Sequence, residues 1–251
     1  MNGECNLTLT ESFERYFRVE RAVSDAQKKR VFEIRYRVYC EEFKYEAVDN
    51  FPEGLEIDEY DQYSKHCLII HRNSGVAAGC VRLVPALGEY DENPLPLEKY
   101  CRSSLDWRYL EELKLDRNKV CEISRLAVDG AFRRRTGESL TRFGEINGLA
   151  INAQEQRSFS LIAVACFLAA TALTEIDDRT NVFAMMEPFL PRLMHRSGIG
   201  FQRVGKDMDY HGIRAPYFIT TQSALENMHG ELIALYQWIK EMLLVETSSG
   251  R

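Results

Sequence analysis

Long apolar runs are missing from these 251 residues. The longest, Leu161 to Leu173, covers 13 residues. That is too short to span a bilayer and reads as a buried helix. An excess of basic charge is missing too. The formal net charge is −6 at pH 7, which argues against nucleic acid as a main partner, since phosphate contacts need a basic face. The segment Met1 to Glu14 lacks the apolar core of a signal peptide. Metal-ligand spacing is absent: the seven cysteines form no C-x-x-C pair, and the five histidines are scattered. Cys67, Cys80, Cys121 and Cys166 fall in apolar runs, as expected of buried thiols in a reducing cytoplasm. No internal repeat or low-complexity stretch divides the chain. The expectation is one cytoplasmic domain over 1–251, without resident metal, permanently bound cofactor or transmembrane segment, with peripheral membrane contact left open.

The chain does contain an alternation of strand-like and helix-like stretches. A first strand is predicted over Tyr16 to Val23. Ser24-Asp25-Ala26-Gln27 then reads as a capping box opening a helix to about Phe43. On that helix Phe32, Arg35 and Tyr39 share a face. An acidic loop occupies 44–64, and a hairpin follows with strands at 66–71 and 76–84. Residues 85–118 carry prolines and charges and read as a lid-like insertion with short helices. A charged strand at 119–128 comes next. Helices are predicted to about Gln154 and over 158–176, then a strand at Asn181 to Met186. Pro188 opens a helix that Gly198 ends. Strands at 200–205 and 216–221 precede an amphipathic helix from Ser223 to about Val245. Such an order implies an α/β or α+β fold, a mixed sheet flanked by helices.

Within the charged strand, Glu122, Ser124 and Arg125 interrupt residues otherwise suited to burial. A buried charge costs several kcal/mol unless it is paired, so this strand needs counter-charges or a polar cleft. Upstream lie Arg35, Asp58, Asp61 and Arg82, which makes three cations and three anions in buried-type segments. A structural ion-pair network and a polar cleft both fit.

Four blocks carry a resemblance: Arg35-Tyr36-Arg37-Val38-Tyr39, Asp58-Glu59-Tyr60-Asp61, Gly79-Cys80-Val81-Arg82-Leu83 and Glu122-Ile123-Ser124-Arg125. In that order they resemble the LuxI-type acyl-homoserine-lactone synthases. Four further phrases cover nearly the whole chain: Gly54 to Asp61, Pro96 to Cys101, Met186-Glu187-Pro188 and Tyr210 to Pro216. These look like the PEP-CTERM/exosortase system-associated acyltransferases, which are similar to N-acyl amino acid synthases. The resemblance implies a GNAT fold with a splayed strand pair. It also implies transfer of a long-chain fatty acyl group from acyl carrier protein, or from acyl-CoA, to the amine of an amino acid or similar small acceptor. An autoinducer synthase using S-adenosylmethionine is the alternative, and a non-catalytic acyl-carrier or lipid-binding module of the same fold is another.

The chemistry needs a deprotonated amine, an oxyanion donor and aligned substrates. Glu122 is the candidate base, with a structural Glu122–arginine pair as the competing reading. Backbone N–H groups around Ser124 and Arg125 can serve the oxyanion if a bulge opens the ladder there. Arg82 and Arg125 have the forked geometry that clamps a carboxylate. Arg35, Tyr39, Asp58, Asp61 and His211 complete the substrate-binding set, with a loop-anchoring pair to Arg35 as the other reading of Asp58. Arg133, Arg134, Arg135 and Gly137 loosely match a turn that holds the donor's phosphopantetheine, and three arginines suit an acidic carrier protein. Cys121 points to the face opposite Glu122, which argues against an acyl-cysteine intermediate.

Overall fold

The computed structural model describes residues 7–88, 92–133, 158–195 and 199–248. Its strands are β1 (Phe17–Arg21), β2 (Lys65–His71), β3 (Ala77–Pro85), β4 (Val120–Val128), β5 (Asn181–Met186), β6 (Gln202–Arg203), β7 (Met208–Asp209) and β8 (Ile213–Thr220). They form an eight-stranded sheet ordered β1-β2-β3-β4-β5-β8-β6, with β7 paired to β8. Every pairing is antiparallel except β4 with β5. The mixed sheet flanked by helices is the fold class the sequence implied.

Both faces of the central strands are covered, which is why β2 and β3 read as continuous apolar runs rather than alternating ones. Cys67, Ile69, Val81 and Leu83 pack in a cluster that includes α1 (Leu9–Tyr16), α5 (Leu161–Ile176) and α8 (Glu231–Ser248). Leu68, Ile70 and Cys80 face α2 (Asp25–Arg35) through Val31 and Ile34.

Three elements depart from expectation. The start of the predicted first strand is helical: α1 carries a capping box at Thr8 and Glu11 and buries Phe13 and Tyr16, with Phe17 buried beside them at its C-cap. Those spacings of three and four belong to a helix face. The capping box at Ser24 and Gln27 opens α2 as read, but the helix continues from Tyr36 to Glu42 as a π-helix. After α6 (Phe189–His195), the amphipathic C-terminal helix is two helices, α7 (Thr221–Glu226) and α8, parted by a turn in which Gly230 takes φ +64°, a value glycine adopts at no steric cost.

The insertion holds the expected short helices, α3 (Pro96–Tyr100) and α4 (Trp107–Glu112), and is fastened to the sheet. Leu95, Leu97, Cys101 and Leu105 are buried with Val84, Val120, Phe183 and Phe218. A backbone bridge joins Leu105 to Gly205. A Cβ at Gly205 would stand 2.1 Å from the Ser104 carbonyl oxygen, so only glycine permits this approach.

Two irregularities in β4 open the sheet at its centre. Its pairing with β3 skips a residue, Cys80 facing Ala127 while Arg82 faces Ser124. This is a bulge in which Arg125 adopts φ +51°. Its pairing with β5 is confined to Val120–Glu122 against Asn181–Phe183. Beyond Glu122 the two strands part, as the splayed pair required.

Candidate active site

Arg82 on β3 faces the same side of the sheet as α2, and the loop after the π-helix folds over it. Arg35 at the end of α2 meets this loop with its guanidinium fully buried. Its Nη1 and Nη2 donate to Asp61 at 2.7 and 3.0 Å, and its Nε donates to Glu56. Arg82 donates from Nη1 to Asp58 at 2.6 Å and Asp61 at 2.9 Å, and from Nε to Ser124 Oγ at 3.2 Å. Arg125 reaches back from the bulge to Glu56 at 3.0 Å and Asp58 at 3.3 Å. Three guanidiniums and three carboxylates thus close on one another. Burial alone would raise the Glu56 carboxyl, but Arg35 and Arg125 outweigh it and hold it at about 2. Asp61 is likewise held well below the carboxylate range: burial opposes this, and Arg35 and Arg82 overcome it. His66, beneath the network with Nε2 3.6 Å from Asp61, is neutral because burial, then Arg35, push it down to about 3.

The third carboxylate of this set is Glu56, where the sequence reading placed Glu122. Nothing in the sequence separated Glu56 from Glu53 or Glu59 in the same acidic loop. Glu122 stands outside the network. No arginine of the described residues lies within ion-pair distance of it. Its Oε2 accepts the backbone N–H of Leu97 at 2.7 Å, so the insertion holds it in place. Burial, foremost, lifts its carboxyl to about 8, and the Leu97 N–H and the Arg82 charge only partly oppose the rise. The structural Glu122–arginine pair considered from sequence is therefore absent among the described residues.

Glu122, Ser124 and Arg125 line a cleft at the β4–β5 divergence, together with Tyr39, Tyr45, Glu46, Tyr210, His211 and Arg214. Tyr39 donates to the Leu126 carbonyl at 2.8 Å, with the Arg125 guanidinium over its ring. His211, at φ +54°, lies 3.5 Å from Glu46. Burial, then the charges of Arg214 and Arg125, lower it. Arg35, Asp58, Asp61 and Arg82 do not line the cleft. Their guanidiniums and carboxylates pair with one another away from the cleft lining, although Arg82 Nη2 is buried without a hydrogen-bond partner among the described residues. Tyr210 and Arg214 are cleft residues to which the sequence alone assigned no role.

Behind the cleft, on the α5 side, is a second and apolar pocket. It shares Ile123, Phe167, Ala184 and Met186 with the first and continues to Ala170, Met194, Ile199 and Phe201. The apolar run at 161–173 thus serves as core and as pocket wall at once.

Arg133 is buried. It donates to the Val128 carbonyl at 2.6 Å, pairs with Glu42 and stacks over Phe43. It therefore does not present its charge as a landing site, contrary to expectation. Arg134, Arg135, Gly137, the helix predicted to Gln154 and the helix end at Gly198 lie outside the described residues. Cys121 is buried on the α5 face, away from the cleft, and burial pushes its thiol well above the ordinary range.

Solved structures share this fold. TofI, in a ternary complex with an inhibitor and MTA, aligns over 90% of this chain and 99% of its own, at 17% identity and a TM-score of 0.58. MesI, a CoA-dependent acyl-homoserine lactone synthase, aligns over 89% and 95% at 18% identity and 0.54. FeeM, an N-acyl amino acid synthase from uncultured soil microbes, aligns over 84% and 94% at 11% identity and 0.51. No curated protein matches in sequence. Residues 34–142 match the family described as acetyltransferase (GNAT) domain. That span holds the whole ion-pair network and Glu122.

Proposed function

We propose that the chain is an N-acyltransferase that moves a fatty acyl group from a phosphopantetheine thioester to the amine of an amino acid or similar small acceptor. The observation that carries this reading is Glu122: a buried carboxyl left out of a closed ion-pair network, at the point where two strands part over an apolar pocket. A carboxyl titrating at about 8 is matched to taking a proton from an ammonium near neutral pH. Arriving at the cleft, the acceptor loses a proton to Glu122, directly or through one water. The free amine attacks the thioester carbon, and the negative charge moves to the carbonyl oxygen. Backbone N–H groups at the bulge around Ser124 and Arg125, released from the ladder, stabilise it. The C–S bond then breaks, the thiolate takes the nitrogen's remaining surplus proton, and the amide is left.

Arg35, Arg82, Asp58 and Asp61 act here as positioning residues. They fix the bulge through Ser124 and Arg125 rather than touch substrate. The apolar pocket receives the acyl tail. Ala184 lines both spaces, so Ala184→Phe is expected to lower kcat/KM for long acyl chains by roughly tenfold or more while short chains continue to react. Initial rates across a series of acyl donors check this. Acyl carrier protein is the donor we favour, with Arg134, Arg135 and Gly137 as its expected contacts; acyl-CoA is the competing donor. Thiol release from each donor decides between them.

The competing product is an acyl-homoserine lactone made from S-adenosylmethionine. Tyr39 and Tyr45, where the lactone synthases have phenylalanine and tryptophan, favour the amino acid. Mass spectrometry of lipid extracts from expressing cells separates the two. N-acyl amino acids support the proposal, lactones replace it with the autoinducer reading, and no new acylated species contradicts both.

A further inference from the structure

The arginines that the sequence offered as a carboxylate clamp are occupied. Arg82 is held by Asp58 and Asp61, and Arg125 by Glu56 and Asp58. Arg133, which also lines the cleft, is held by Glu42. One cleft arginine differs. Arg214, near the start of β8, has no carboxylate within ion-pair distance among the described residues. Of the three carboxylates that line the cleft, Glu46 has His211 as its ion-pair neighbour at 3.5 Å, Glu122 takes the Leu97 N–H, and Glu187 is not within ion-pair distance of Arg214. The Arg214 guanidinium carbon stands 5.5 Å from the centre of the Tyr45 ring, and His211 packs on that ring at 5.3 Å. An aromatic face orients the planar fork while leaving its N–H edge free to donate. Arg214 is only half-buried, so water can solvate it when the cleft is empty. A bidentate anion can replace that water.

We propose that Arg214 reads the carboxylate of the acceptor, which makes the acceptor an α-amino acid head group rather than a simple amine. This rests on the N-acyltransferase reading above and adds to it. A cation in the same cleft as Glu122 can hold one end of a zwitterion while the other end gives up its proton. The same head group occurs in free amino acids and in S-adenosylmethionine, and Arg214 would take either.

The test compares free amino acids, their decarboxylated amines and S-adenosylmethionine as acceptors for wild type, Arg214→Gln and Arg214→Lys. Circular dichroism confirms that the variants fold, and calorimetry measures binding of the acceptors alone. Wild type is expected to prefer carboxylate-bearing acceptors, and their relative rates say which source of head group it uses. Arg214→Gln should raise KM for that acceptor roughly 10- to 100-fold, the size of a lost charge-assisted pair. It should weaken binding in the calorimeter to match and erase the preference over the amine. Arg214→Lys should recover part of both. If Arg214→Gln instead raises KM for the acyl donor and spares the acceptor, the guanidinium reads a donor phosphate and the proposal falls. Equal losses on amino acid and amine also overturn it. A wild type that acylates amines and amino acids alike overturns the carboxylate assignment but leaves the N-acyltransferase reading standing. Failure to acylate any acceptor removes both.

Discussion

Glu122→Gln is expected to lower kcat by about 10²- to 10⁴-fold, the usual range for a lost general base, with the fold intact. Glutamine keeps the shape and the acceptor oxygen for the Leu97 N–H, and no arginine among the described residues loses a partner. The pH dependence separates this loss from a general one. Glu122 titrates at about 8, and only its ionised form accepts a proton. The rate of wild type should therefore rise with pH through about 8 and then level. In Glu122→Gln that limb should vanish, and the residual rate should follow the acceptor's own ionisation. Stability should move the opposite way. A raised folded-state value means that the carboxyl stabilises the fold below the ordinary glutamate range and loses this contribution as pH climbs through 8. At pH 9 the glutamine variant should unfold at higher denaturant than wild type, and at pH 5 it should not. Wild-type rates in Glu122→Gln would remove the base assignment.

Arg35→Met should destabilise the chain by about 3–5 kcal/mol, the cost of stripping one partner from a buried ion pair. Methionine fills much of the space left by the arginine stem, so the loss reports charge rather than a cavity. Glu56 and Asp61 would stay buried, with Arg125 and Arg82 as their remaining partners. The sign follows from their titration. Both carboxyls are depressed in the folded protein, so their contribution is present above the ordinary carboxylate range and is lost as pH falls through their folded values, for Glu56 about 2. Without Arg35 both rise toward ordinary values, and protonation then relieves the variant. The gap between wild type and Arg35→Met should be widest near pH 7 and narrow toward pH 3. Urea unfolding at the two pH values measures it. A difference below about 1 kcal/mol at pH 7 would show that the network is not a buried one.

The sequence made some of this legible and hid the rest for identifiable reasons. β5 matches its predicted bounds because Asn181–Met186 alternates little and is flanked by turn residues and a proline. The splay of β4 from β5 and the bulge at Arg125 followed from charged residues inside an apolar strand, together with the resemblance. The membership of the network did not. Charge counting found three anions, but three carboxylates of one acidic loop satisfy Arg35, Arg82 and Arg125, and which loop residues turn inward is a tertiary outcome. Arg214 was hidden for the complementary reason. A cation with no carboxylate beside it among the described residues is visible only once those residues are placed. The N-terminal helix was missed because Tyr16 to Val23 has strand composition while the burial of Phe13 and Tyr16 has helical spacing.

Carbon-13 NMR titration of the glutamate carboxyls in wild type and Glu122→Gln tests most directly that one carboxyl has been set aside for chemistry. One resonance titrating near pH 8 in wild type, and missing from the variant, is the predicted result. Loss, on substitution, of a resonance that titrates with the ordinary carboxylates near pH 4 would place Glu122 among paired or solvated acids and contradict the account.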